Sequence, residues 1–99
     1  MKTTKHNRDK SFKQLCNKLA DIDSCALITK LLEDLCTPTE IEALADRWAV
    51  ALELQTGASY RSISEKTGVS LATVTRVARY VKQKDSGYNL AINLEPTKQ

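Results

Sequence analysis

Residues 59–81 read SYRSISEKTGVSLATVTRVARYV, two short helical runs broken at Thr67 and Gly68. Ser59 and Ser70 each stand where a helix start needs a side-chain oxygen to accept from its first free amides. Gly68 supplies the residue that tolerates positive φ in the short turn between the runs. Two helices crossing at a steep angle need a small residue at the crossing, which Ser64 meets. They also need aliphatic residues to lock the pair, and Ile63, Val69, Val74 and Val77 stand at suitable spacings. The stretch predicts a helix-turn-helix, with a fourth helix from Ser59 and a fifth from Ser70 to about Lys84.

The outer face of that motif separates a DNA reader from a mere packing device. Ser70, Leu71, Ala72 and Thr73 open the fifth helix with short side chains that permit close approach to base edges. Thr75, Arg76, Arg79 and Lys82 follow with hydrogen-bonding or charged groups. Arg61, early in the fourth helix, carries a planar fork suited to guanine or phosphate. Tyr60 has two readings: its hydroxyl touches a phosphate, or its ring closes the head against the third helix. For one arginine a solvated surface is the better reading. Three in a motif whose only acid between Ser59 and Lys84 is Glu65 favour double-stranded DNA as partner.

Upstream, CTPTE is the clearest helix start in the chain: Thr37 at the cap, Pro38 at the first helical position and Glu40 completing a capping box. Ile41, Leu44, Ala45, Trp48, Ala51 and Leu52 form the apolar stripe of this third helix, with Trp48 read as core, and Gly57 ends it. Phe12, Leu15, Cys16, Leu19 and Ile22 repeat at helical spacing, as do Cys25, Ile28, Leu31, Leu32 and Leu35 after the cap Ser24. Such apolar density asks for a partner surface. In the tail, Tyr88, Leu90, Ile92 and Leu94 alternate with polar or small residues, which fits either an extended segment or a single helical turn before Pro96. The expected fold is all-α. The expected organisation is one domain over 1–99: a flexible basic leader (1–8), dimerisation helices (9–57), the helix-turn-helix (59–84) and a C-terminal tail (85–99).

Ninety-nine residues suit one domain of modest stability that dimerisation would strengthen. Apolar residues are 41% and charged residues 27%, as in soluble globular chains, and no apolar run approaches a membrane span. The polar start lacks the apolar core of a signal peptide, so the expected place is the cytoplasm, on the nucleoid when DNA is bound. The net charge of +3 is segregated. Met1–Lys18 carries six cations against Asp9, Leu19–Ala58 two cations against eight acids, and Ser59–Lys84 six cations against Glu65. The acidic middle reads as scaffold and the basic ends as contact surfaces. Cys16, Cys25 and Cys36 have no CxxC spacing and are read as small buried hydrophobes with free thiols, so no metal is expected. No nucleophile has a base near it in sequence and there is no phosphate loop, so an enzyme is not expected.

The runs CTPTEIEALADRWAVALEL and YRSISEKTGVSLATVTRVARYV resemble the Trp repressor superfamily, most closely its Trp repressor-like YerC/YecD branch, over roughly Leu31 to Tyr88. The resemblance implies an intertwined helical dimer with two helix-turn-helix heads about one DNA turn apart. It also implies that Arg61, Leu71, Ala72, Thr73 and Thr75 meet the operator, an inverted repeat bound by a repressor. In the tryptophan-binding member of the family the indole lies between two arginines, which match Arg47 and Arg76, with Thr73 and Cys36 at further pocket positions. Two departures matter. Val77 stands where that protein has a glycine and fills room a ligand needs, and Tyr80 replaces a small serine. Tryptophan is therefore not expected as corepressor, no cofactor is expected, and Arg47 reads as a scaffold residue paired with an acid. A different small-molecule corepressor between Arg47 and Arg76, and a protein-interaction adaptor without specific DNA binding, stand as alternatives.

Overall fold

A computed structural model describes residues 5–96 and contains six helices and, among those residues, no strand. They are α1 (Lys5–Asp21), α2 (Cys25–Leu35), α3 (Pro38–Leu54), α4 (Tyr60–Thr67), α5 (Leu71–Val81) and α6 (Gly87–Ile92). Two predictions shift at their edges. The leader expected over 1–8 is helical from Lys5, and residues 1–4 lie outside the described part. The fifth helix ends at Val81, not at Lys84.

The helix starts follow the sequence closely. Ser24, Ser59, Ser70 and Ser86 each accept a hydrogen bond from the backbone amide three residues on, and Thr37 does the same while its own amide donates to Glu40 Oε1 at 2.8 Å. Gly68 closes α4 at φ +76°, and a side chain added there would meet nothing within 4 Å. The demand at this position is for backbone angle, not for space.

The chain divides into two compact units, one ending at Cys36 and one beginning at Thr37, where a single domain was expected. In the first unit α1 and α2 carry their apolar residues largely in the open: Phe12 is 67%, Leu27 51% and Leu35 52% exposed, and none of residues 7–36 is buried. This corrects the reading of the cysteines. All three are free thiols, but Cys16 and Cys25 are exposed and Cys36 is half-buried, since helices without a buried side offer no interior to hold them.

The second unit has a true core of Val50, Ala51, Ile63, Val69, Val74 and Val77, with Leu54, Ala58, Tyr60, Val81, Tyr88 and Ile92 packed against it. Burying one such valine or isoleucine contributes about 1.5–3 kcal/mol. The side of α3 that faces this core carries Val50, Ala51 and Leu54. The predicted stripe is offset from it: only Ala51 is buried, while Leu44, Trp48 and Leu52 stay 40–45% exposed. Trp48 is therefore not a core residue. The tail resolves as the helical alternative, α6, whose Tyr88 and Ile92 reach the core.

Candidate nucleic-acid interface

α4 and α5 form the predicted helix-turn-helix, and its turn is latched by hydroxyls. Ser64 Oγ donates to the Val69 carbonyl at 2.6 Å, Thr67 Oγ1 donates to the Ile63 carbonyl at 2.7 Å, and the Val69 amide donates back to Thr67 Oγ1 at 3.2 Å. Ser64 was read as merely small. Its hydroxyl also satisfies a carbonyl in the turn, which spacing alone does not reveal. Ile63, Val69, Val74 and Val77 all lie in the core, as their spacing predicted.

α5 is two-sided. Val74, Val77 and Ala78 are buried, with Thr73 and Val81 half-buried, while Leu71, Ala72, Thr75, Arg76, Arg79 and Tyr80 are exposed. Ser70, also exposed, caps the helix: its Oγ accepts from the Thr73 amide at 3.2 Å and donates to Thr73 Oγ1 at 3.1 Å. Thr75 Oγ1 donates to the Leu71 carbonyl at 2.9 Å, so its proton is committed to the helix and its methyl and lone pairs remain for a partner. Arg61 is exposed near the start of α4, and Lys82 is exposed at the C-cap of α5, where its charge suits the helix end. Of Tyr60's two readings the packing one is visible: the half-buried ring lies against the core and lines a groove of about 290 Å³ with Leu54, Gly57, Ala58, Ala78, Val81 and Lys82.

One cation of the head is spoken for. Lys66 Nζ lies 3.0 Å from Glu53 Oε2 and ties α4 to α3. With the Lys66 side chain 69% exposed, the pair contributes at most about 1 kcal/mol. It still removes Lys66 from the set of free positive charges, a long-range pairing that no local pattern announces.

The residues matched to an effector pocket behave differently from one another. Arg76 stacks over the Tyr80 ring, its guanidinium carbon 5.7 Å from the centroid. Val77 is fully buried in the core, Thr73 is held by the Ser70 cap, and Cys36 belongs to the first unit. Arg47 is half-buried, and the acid partner expected for it is not found among the described residues, where Lys18 pairs with Asp21 and Lys66 with Glu53. Glu53, one of the acids on the same helix, reaches Lys66 instead. An open groove of about 360 Å³ does lie nearby, lined by Trp48, Tyr80, Gln83, Ser86, Gly87 and Tyr88, and of the expected set it includes only Tyr80. Among the described residues no three His, Cys, Asp or Glu side chains gather into a potential metal set, and no helix is long and apolar enough to cross a membrane.

A further residue, missed in the sequence, closes the far end of α5. Asn89 Nδ2 donates to the Val81 carbonyl at 2.7 Å and to the Gln83 carbonyl at 2.9 Å. The only signal available was a polar residue between Tyr88 and Leu90 in a tail of undecided conformation.

Comparison with known proteins follows the same lines. Residues 10–95 match the sequence profile of the family described as Trp repressor protein. The chain is 35% identical over 86 residues to the uncharacterized protein YerC of Bacillus subtilis (strain 168), covering 87% of this chain and 83% of that one. It is 36% identical over 73 residues to a Trp operon repressor homolog of Xylella fastidiosa (strain M23), covering 73% and 79%. It is 42% identical over 72 residues to one of Vibrio vulnificus (strain YJ016), covering 70% and 71%. No solved structure matches it.

Proposed function

Because the chain belongs to the Trp repressor family, we propose that it is a sequence-specific transcriptional repressor that binds a short inverted-repeat operator as a homodimer. The observation that carries this reading is the two-sidedness of α5, apolar and buried on one side, short-chained and then cationic on the other. Leu71, Ala72, Thr73 and Thr75 lie at the end of α5 that enters the major groove, where apolar groups meet thymine methyls. Arg61, Arg76, Arg79 and Lys82 flank them for guanine or phosphate. The exposed apolar residues of α1, α2 and α3 supply the dimer surface: Phe12, Leu27, Leu35, Leu44, Trp48 and Leu52 are left in the open by a single chain.

Tryptophan is not the corepressor in this reading, and DNA binding needs no small molecule. Val77 is built into the core, and the exposed face of Arg76 already carries the Tyr80 ring. Titration calorimetry with L-tryptophan is expected to give no binding heat, and tryptophan is expected to leave DNA retention unchanged; tighter retention with tryptophan would overturn this part.

The test of the whole reading is selection of fragmented genomic DNA by the purified protein at near-physiological salt, followed by sequencing. A recurring inverted repeat with half-sites about one helical turn apart is the expected result. Featureless retention, or none, sinks the operator reading in favour of a protein-interaction adaptor.

A further inference from the structure

α5 ends at Val81, and the next five residues, 82–86, form a turn that carries Lys82 and Lys84, both exposed. Long cations on a loose turn lose much of their binding through the ordering they require, whereas a fixed backbone presents them ready-placed. Asn89 fixes this one. Its amide has two hydrogens, and each goes to a carbonyl of the turn, Val81 at 2.7 Å and Gln83 at 2.9 Å. The Gln83 carbonyl also receives the Ser86 amide at 3.0 Å. The amide must present its nitrogen here, because its oxygen would face two acceptors.

Asn89 is itself anchored. Its backbone amide donates to the cap Ser86 Oγ at 3.2 Å, and it sits in α6, whose Tyr88 and Ile92 pack on the core. Its Oδ1 further faces Gln55 Nε2 at 3.5 Å, beside the end of α3. One side chain thus links a core-anchored helix to the turn that bears the two lysines.

Resting on the DNA-binding reading above, we propose that Asn89 is a positioning residue for phosphate contact: it pins the turn after α5 and so holds Lys82 and Lys84 where a DNA backbone meets them. Asp85 follows Lys84 and offsets part of its charge, so Lys82 carries the larger share. Asn89 touches no DNA in this arrangement.

The experiment measures affinity for a short mixed-sequence duplex against salt concentration. It compares wild type, Asn89→Leu, the double variant Lys82→Ala/Lys84→Ala, and all three substitutions together, following the melting temperature of each. Asn89→Leu is expected to flatten the log-log salt slope by about 1, and to weaken binding about tenfold near 0.1 M salt, the effect of about one phosphate contact. Added to the double variant, it is expected to change affinity no further, since the lysines through which it acts are gone. If Asn89→Leu does not fold, Asn89→Ser, which keeps one shorter donor, is expected to show a smaller loss of slope. An unchanged slope with a lowered melting temperature, or an equal loss in both backgrounds, makes Asn89 a structural residue only and overturns the proposal. A wild-type protein without salt-dependent retention overturns the DNA-binding reading as well.

Discussion

Val77 and Ser64 differ in how far their roles could be read from type and spacing. Val77 is fully exposed to prediction by its i+3 relation to Val74, and it occupies the core as expected. Replacing it by alanine leaves a small cavity and is expected to lower unfolding free energy by about 1–3 kcal/mol in urea titrations. Ser64 was legible as small, but its bond to the Val69 carbonyl depends on how the turn closes, which is set by Gly68 and not by spacing. Ser64→Ala is expected to cost about 0.5–1.5 kcal/mol by the same titration. Arg76 and Tyr80 stand four residues apart on one helix, so their stacking was in principle readable, but Tyr80 was read only as a replacement in the effector pocket. The Asn89 contacts cross from α6 back to α5 and could be found only with the tail's conformation in hand.

The helices themselves were legible wherever a cap announced them. Thr37, Pro38 and Glu40 announce α3 from residue types alone, and the box is closed in both directions. Thr37→Ala removes one half of it and is expected to cost about 1 kcal/mol. In a thermal scan this is a fall of about 4–8 °C for a domain of this size. The C-terminal ends were less legible. α5 stops at Val81 although Lys82–Lys84 are good helix formers, and just there Asn89 Nδ2 donates to the Val81 and Gln83 carbonyls. The stripe on α3 was read correctly as apolar, but of its residues only Ala51 is buried in the head. Periodicity reports that a face is apolar without saying what covers it, and here Val50, Ala51 and Leu54 meet the head while Leu44, Trp48 and Leu52 do not.

At the scale of the whole molecule, the segregation of charge was plain in the sequence, whereas the division at Cys36 was not. A break between units is a matter of which surfaces meet, and residue types before it resemble those after it. Two outcomes belong to this scale. Sedimentation equilibrium is expected to give twice the 11.0 kDa chain mass, and Leu52→Asp, on the uncovered side of α3, is expected to shift it toward one chain while helix content measured by circular dichroism stays within about a tenth. For six phosphate contacts, affinity for duplex DNA is expected to fall with a log-log salt slope of about −5, and a slope near zero would argue for a protein partner. Gly68 has a last consequence, which concerns handedness. Its φ of +76° is one that L-residues rarely adopt and that their mirror images adopt freely, so D-alanine meets the backbone demand that strains L-alanine. In a chain assembled by chemical ligation, D-alanine at 68 should raise stability by about 0.4–1 kcal/mol through a less varied unfolded state, and L-alanine should lower it.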